Sequence, residues 1–178
     1  MEVAEFLLAT VDQIDTAYQR AVEAVRRIGD RGFADSSLNT RSYQQLVSRG
    51  HFKDYVHELD WAAQEVAGHL ADSATVFGAR IKVIRDLDMP SFGDFVTDEP
   101  QRVQRYRSTS FTEALDRLVW THQYLRSQVE SIESSDLDRI GVHEFDGEVS
   151  VRSILDFLPG HIADHVAQLR ALASTHQV

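Results

Sequence analysis

Apolar residues recur at alternating steps of four and three along four separate segments of the chain. In residues 2–29 the series begins with Leu7, Val11 and Ile14 and continues to Ile28. The same spacing returns in residues 61–87, 110–132 and 150–172. Steps of four and three place side chains on one face of an α-helix. The sequence therefore predicts four long amphipathic helices.

Four such helices leave few alternatives for the fold. A helix of about 26 residues is about 39 Å long, so apolar stripes of this length can be buried only against one another. No Ser/Gly-rich linker, repeat or low-complexity tract divides the 178 residues. We therefore predict an all-α four-helix bundle that spans residues 1–178 as a single domain.

Two of the connections between these helices are long. Residues 30–60 are predicted to contain a short helix near Ser42–Val47, and residues 88–109 another near Pro100–Tyr106. These connections could cap one end of the bundle.

The last long helix contains Pro159. A proline inside a helix removes one backbone donor and clashes with the carbonyl four residues earlier, so we expect a kink near residues 155–159. Before this helix, Asp146-Gly147 has the composition of a hairpin turn, but its short flanks cannot form a sheet that stands alone. We interpret this segment as a loop.

Charge and cysteine content exclude several classes of function. The chain has 18 Lys and Arg against 28 Asp and Glu, for a formal net charge of −10. Nucleic-acid binding draws most of its affinity from clustered Lys and Arg, so this balance argues against a nucleic-acid partner. The absence of cysteine excludes a cysteine nucleophile, a redox pair and a thiolate zinc site. Any metal must therefore be held by His, Asp or Glu.

The amino-terminal segment has no cationic region before its short apolar stretch at Phe6–Leu8. This pattern predicts neither a signal peptide nor a membrane span. We expect a cytoplasmic protein with no membrane partner.

Three histidines occupy positions where a helical bundle can build a metal site. His161 and His165 are four residues apart, so they lie about one turn apart on one helix face. His69 adjoins the apolar stripe of the second long helix and can point into the bundle interior. Three neutral imidazoles with an open position suit Zn²⁺, Ni²⁺, Cu²⁺ or Fe²⁺. The alternative is that the histidines are polar residues bordering the core, with a structural role alone.

Two carboxylates share the helix face of His69. Glu65 lies four residues before it and Asp72 three residues after it, so either could orient an imidazole or act as a general base. The alternative interpretation of both residues is a solvated helix face.

Three further residues are candidates for contacts with a bound substrate or cofactor. Gln168 follows His165 by three residues, His122 interrupts the apolar stripe of the third helix, and His143 precedes the fourth helix. A hydrogen-bonded core histidine is the competing interpretation of His122, and a surface histidine that of His143.

Two segments resemble a known family. Residues 61–73, WAAQEVAGHLADS, are similar to a segment of the DinB-like superfamily, which is also called the DinB/YfiT-like putative metalloenzymes. The carboxyl-terminal segment, from Gly141-Val-His143 through Ser150 to HIADHVAQL at residues 161–169, resembles the close of the same family. The order of the helices also matches over nearly the whole chain.

The resemblance implies a four-helix bundle, often dimeric, with a divalent metal held by His69, His161 and His165. Of the four candidate ions, Zn²⁺ and Ni²⁺ are the preferred ones. Characterised relatives include transferases and isomerases that use mycothiol or bacillithiol as cosubstrate, and no motif for such a sugar-thiol is evident here. We therefore predict a homodimeric, metal-dependent enzyme that activates a low-molecular-weight thiol or water for attack on a small electrophile. The alternative is a non-catalytic dimerisation or sensing module that binds metal or a small molecule.

Overall fold

The computed structural model describes residues 3–50 and 55–175, which form six α-helices and three short strands. The helices are α1 (Val3–Phe33), α2 (Thr40–Ser48), α3 (Ala63–Asp86), α4 (Pro100–Ser108), α5 (Phe111–Glu130) and α6 (Val151–Thr175). The strands are β1 (Ser91–Phe92), β2 (Ile140–His143) and β3 (Gly147–Ser150). Short 3-10 helices cover Val56–Asp60 and Ser134–Asp136.

The four long helices form the predicted bundle. Helix α1 packs against α5 and α6, and α3 packs against the same two helices from the opposite corner. The apolar stripes meet in one continuous core that includes Ile14, Leu70, Leu118 and Leu169. The predicted all-α four-helix bundle is therefore confirmed. Among the described residues, no helix combines the length and apolar character needed to cross a membrane.

Helix α3 lies deepest in the bundle. All residues from Ala63 to Ala71 are buried, because α4 covers the side of α3 that the other long helices leave open. Gly68 permits this close approach, since a Cβ atom there would lie 2.3 Å from Cδ1 of Tyr106. The residues around His69 are thereby enclosed on all sides.

Both predicted short helices are present, and each has a polar cap. The side chain of Asn39 accepts a hydrogen bond from the backbone N–H of Ser42 at the start of α2. The side chain of Glu99 accepts from the N–H groups of Gln101 and Arg102 at the start of α4. A side-chain acceptor at this position satisfies donors that have no partner within the helix.

Two long helices contain a residue that disfavours regular helix. Gly29 has φ 70° and interrupts α1, which resumes and continues to Phe33, beyond the predicted end. Helix α6 runs through Pro159 and continues to Thr175. The kink expected near residues 155–159 stays a prediction.

The interpretation of residues 142–151 as a loop was wrong. Strands β2 and β3 form an antiparallel hairpin in which His143 pairs with Gly147, and β1 adds a parallel third strand. An isolated hairpin is marginal, but here a distant segment supplies the additional strand, and the N–H of Val142 donates to the carbonyl of Pro90. The hairpin is therefore stabilised by contacts with residues that are distant in the sequence.

Candidate metal centre

The bundle brings the three predicted histidines together. His69 comes from α3, and His161 and His165 come from the neighbouring α6, and all three are buried. The Nε2 atoms of His69 and His161 are 3.2 Å apart, and the centroids of the His69 and His165 rings are 4.6 Å apart. One nitrogen from each ring lies within 4.8 Å of the others. These residues form a compact donor set, which we call the histidine cluster.

The electrostatics of the cluster favour neutral imidazoles. Burial lowers the pKa of His69 well below 6.5, and the charges of His165, His161 and Arg102 lower it further. Burial and the charge of His165 lower the pKa of His161 in the same direction. At neutral pH these rings therefore keep a nitrogen lone pair, which is the form that binds a metal.

Gln168 fixes the orientation of His165. The Gln168 amide nitrogen donates to the backbone carbonyl of Glu58 at 2.6 Å, so the amide oxygen is left to face Nδ1 of His165 at 3.2 Å. This arrangement assigns the proton of His165 to Nδ1 and the lone pair to Nε2. Gln168, a predicted ligand contact, thus positions a histidine.

Glu58 is a site residue that the sequence analysis missed. Its side chain is only 2% exposed, and Oε2 lies 3.4 Å from Nε2 of His165. Oε1 accepts a hydrogen bond from the hydroxyl of Thr97 at 2.7 Å. Within the described part of the chain Oε2 has no hydrogen-bond partner. The only sequence signal was an acidic residue beside apolar Leu59, in a connection with no helical periodicity.

The donor set fits a divalent cation. Two imidazole nitrogens bound to one tetrahedral Zn²⁺ at about 2.0–2.1 Å would lie roughly 3.4 Å apart, close to the observed spacing of His69 and His161. A buried carboxylate oxygen without a partner is costly, and a cation beside it would offset that cost. His69, His161 and His165 could therefore hold the ion, with Glu58 beside it.

Glu65 and Asp72 have other partners. One oxygen of Glu65 accepts from the backbone N–H of Ala62 at 2.7 Å, and the other accepts from Arg107 at 2.7 Å. Asp72 accepts from Arg102 and Arg117 at 2.8 Å. These carboxylates join α3 to α4 and α5. Their contacts are those of ion pairs that hold helices together.

The two remaining candidate histidines lie in other contacts. Nε2 of His122 is 2.7 Å from Oδ1 of Asp15, and its ring stacks on Tyr18 with centroids 4.6 Å apart. Nδ1 of His143 accepts from the N–H groups of Phe145 and Asp146 in the hairpin turn. The structure thus places His122 between α1 and α5, and His143 within the sheet. Neither belongs to the histidine cluster.

Aromatic rings surround the cluster. Phe95 stacks on His69 with centroids 5.7 Å apart, and Phe157 stacks on His161 with centroids 5.1 Å apart. The indole of Trp61 lies 5.2 Å from the ring of His69. Phe157 is 43% exposed, so its ring separates a histidine of the cluster from solvent. These rings make much of the cluster's surroundings aromatic, beside the polar Glu58 and the hydroxyl of Ser73, which lies 3.3 Å from Nε2 of His69.

The fold and the cluster together define a class of four-helix-bundle proteins with a buried three-histidine centre. The sequence profile of the DinB superfamily matches residues 9–169. The chain belongs to the DinB superfamily.

A solved structure has the same fold. YfiT from Bacillus subtilis, described as a probable metal-dependent hydrolase with an unusual four-helix bundle topology, superposes with a TM-score of 0.61. The two sequences are 15% identical, and the alignment covers 92% of this chain and 87% of YfiT. No curated protein matches the sequence.

Proposed function

We propose that this protein is a metal-dependent hydrolase in which His69, His161 and His165 hold a divalent cation and Glu58 acts as the general base. The observation that carries the proposal is the position of the Glu58 carboxylate, 3.4 Å from Nε2 of His165 and buried with it. The description of YfiT as a probable metal-dependent hydrolase supports the same class of reaction.

The donor set favours Zn²⁺ or Ni²⁺, with Fe²⁺ and Cu²⁺ as further candidates. Imidazole nitrogens suit all four ions, whereas oxygen-rich sites suit Mg²⁺ and Ca²⁺. When bound, such a cation would supply Lewis-acid chemistry and would lower the pKa of a nucleophile beside it.

The chain's own residues would handle the proton. Oε2 of Glu58 is the buried acceptor next to the cluster, so it would take the proton from an attacking water. The hydroxyl of Thr97 donates to the other oxygen, and Gln168 donates to the backbone carbonyl of Glu58. These two bonds hold the carboxylate and its backbone in position.

The aromatic surroundings indicate the kind of substrate. Rings of Trp61, Phe95 and Phe157 lie against the histidines and exclude water from their faces. An apolar wall of this kind favours a small, weakly polar electrophile such as an ester or an amide. A low-molecular-weight thiol such as mycothiol is the second candidate nucleophile, because the same carboxylate would accept its proton.

Elemental analysis of protein purified without an affinity tag tests the metal centre. We expect about one divalent ion per chain in the wild type and its loss in the variants His69→Ala and His165→Ala. His122→Ala is the matched control, because His122 lies outside the cluster and should leave the metal content unchanged. Circular dichroism of each variant checks that it is folded. A wild type that stays empty after incubation with Zn²⁺, Ni²⁺ and Fe²⁺ would overturn the proposal.

A turnover assay then distinguishes the candidate reactions. The loaded protein is incubated with small esters and amides, and separately with an electrophile plus a low-molecular-weight thiol. Hydrolysis without the thiol supports the hydrolase. Turnover that requires the thiol contradicts the hydrolase and supports the transferase. A loaded protein that turns over neither would instead be a non-catalytic metal-binding module.

A further inference from the structure

A groove runs between α1 and α6 on a part of the surface that shares no residue with the histidine cluster. It consists of three adjoining cavities of about 470, 320 and 210 Å³. Arg20 lines all three cavities, and Arg170 lines two of them. Helix α2 forms one wall, and Arg49, the residue directly after this helix, also lines the groove. We call this surface the arginine groove, and its four arginines are Arg20, Arg27, Arg49 and Arg170.

Several small side chains line the groove. Both long helices present alanines along it, including Ala17 from α1 and Ala163, Ala167 and Ala171 from α6. An alanine side chain ends at Cβ, so these positions leave room beside the long arginine side chains that also line the cavities. Leu46 from α2 adds a further apolar surface. The groove thus combines an apolar floor with cationic walls.

The arginines of the groove form no ion pair with an acidic residue among those that the structure describes. In the part of the chain that the structure describes, the four form neither salt bridges nor side-chain hydrogen bonds. Other arginines do have acidic partners: Arg102 and Arg117 both bind Asp72, and Arg126 binds Asp15. The acidic residues that line the groove are Asp12 and Glu23. In a chain with net charge −10, this surface carries an excess of positive charge.

We propose that the arginine groove binds an amphiphilic small anion, a molecule with a phosphate or carboxylate head group and a short aliphatic body. Guanidinium groups bind phosphate and carboxylate with paired, charge-assisted hydrogen bonds. The head group would bind Arg20 and Arg170, which line the same two cavities, while the aliphatic body packs on the alanine floor.

Calorimetric titration with short probes tests both halves of the proposal. Octyl phosphate and octanoate, each kept at monomeric concentration, are titrated into the full-length protein beside octanol and inorganic phosphate. We expect the two amphiphilic anions to bind and octanol to give no measurable heat. The affinity for inorganic phosphate should be lower than that for octyl phosphate by about tenfold or more, because inorganic phosphate lacks the apolar body. A higher salt concentration should weaken the binding of both anions.

A pair of double variants locates the site. The variant R20Q/R170Q should weaken octyl phosphate binding by about tenfold or more, since two charge-assisted contacts are lost. The control R31Q/R41Q removes the same charge from α1 and α2 at positions that do not line the groove, and it should bind as the wild type does. Thermal unfolding checks that both variants are folded. Absence of octyl phosphate binding, equal loss in both variants, or equal affinity for inorganic phosphate would each overturn the proposal.

Discussion

Oε2 of Glu58 lies 3.4 Å from Nε2 of His165, although the two residues are separated by most of the bundle's sequence. The same pair of segments is joined a second time, because Gln168 bonds both the backbone of Glu58 and Nδ1 of His165. A 3-10 helix in a long connection is therefore fixed against α6 at the histidine cluster.

Replacing Glu58 with glutamine should separate metal binding from turnover. Glutamine keeps the shape of the side chain but cannot accept a proton as a base. The variant E58Q should keep its metal, while its rate of hydrolysis falls by about 100-fold or more, the usual contribution of a general base. Metal content and kcat are measured on the same preparation. An unchanged kcat would show that Glu58 is not the base.

Replacing Gln168 with leucine should weaken metal binding. The change removes the acceptor that faces Nδ1 of His165 and the donor to Glu58, so the imidazole loses its fixed orientation. Loss of such a contact usually costs about 10- to 100-fold in metal affinity. The affinity is measured by competition with a chromophoric chelator. Gln123→Leu, an exposed change on α5, is the control and should bind metal normally.

Replacing Asp72 with asparagine should affect stability and leave chemistry intact. Asp72 binds Arg102, Arg117 and the hydroxyl of Tyr106, so the variant loses charge-assisted contacts between α3 and its neighbours. We expect a loss of about 1–3 kcal/mol in the free energy of unfolding. Activity per bound metal should stay close to that of the wild type. A large loss of that activity, with the fold intact, would instead restore Asp72 as a catalytic residue.

Two glycine variants should shift stability in opposite directions. A Cβ at Gly68 would lie 2.3 Å from the buried ring of Tyr106, whereas a Cβ at Gly160 would meet nothing within 4 Å. The variant G68A should therefore lose about 1–3 kcal/mol through overpacking. The variant G160A should gain up to about 1 kcal/mol, because alanine favours helix over glycine. Urea unfolding measures both, and a stable G68A would contradict the close packing of α4 on α3.

The stability of the metal-free protein should fall as the pH drops below about 6.5. Burial lowers the pKa of His122, and the hydrogen bond and charge of Asp15 offset only part of that effect. The unfolded chain therefore binds a proton near pH 6.5 while the folded protein does not, so acid favours unfolding. His69 and His161 act in the same direction, because their pKa values are also lowered.

The variant H122Q should have a shallower dependence of unfolding free energy on pH between 6.5 and 5. Each group that protonates only on unfolding contributes at most about 1.4 kcal/mol per pH unit. Urea titrations of the metal-free wild type and variant over this range give the two slopes. Equal slopes would show that His122 binds its proton over the same pH range in the folded and unfolded protein, which would contradict a lowered pKa.

The periodicity of the sequence was sufficient to predict the bundle but not the strands. The helices that contain Leu70 and Leu169 have apolar residues at helical spacing along their whole length. This spacing is a local signal, which can be recognised without knowledge of the tertiary structure. The pairing of Phe92 with His143 joins segments 51 residues apart, and neither segment has a strand pattern of its own. The hairpin depends on tertiary contacts, which periodicity does not report.

The candidate site was also predicted only in part, because spacing along one helix does not report tertiary contacts. The spacing of His161 and His165, with His69 beside a stripe, identified the three residues that the structure brings together. The spacing pointed to Glu65 and Asp72 as candidate carboxylates, because both share the helix face of His69, and their catalytic role stays a prediction. Arginines from α4 and α5 bind both of them, and the position of those helices could not be read from α3. Glu58 lies in the connection between α2 and α3, and only the fold of that connection brings it to the cluster.

The placement of Trp61 gives the protein an internal optical reporter. The chain has two tryptophans; Trp61 is 7% exposed and lies against His69 and His165, while Trp120 is 71% exposed on α5. A buried indole emits at shorter wavelength than a hydrated one, so the two contributions to the fluorescence are spectrally distinct. Ions such as Ni²⁺ or Cu²⁺ that bind at the histidines would quench the short-wavelength component and spare the other. Occupancy of the centre can therefore be followed in real time, without a label, in the unmodified chain.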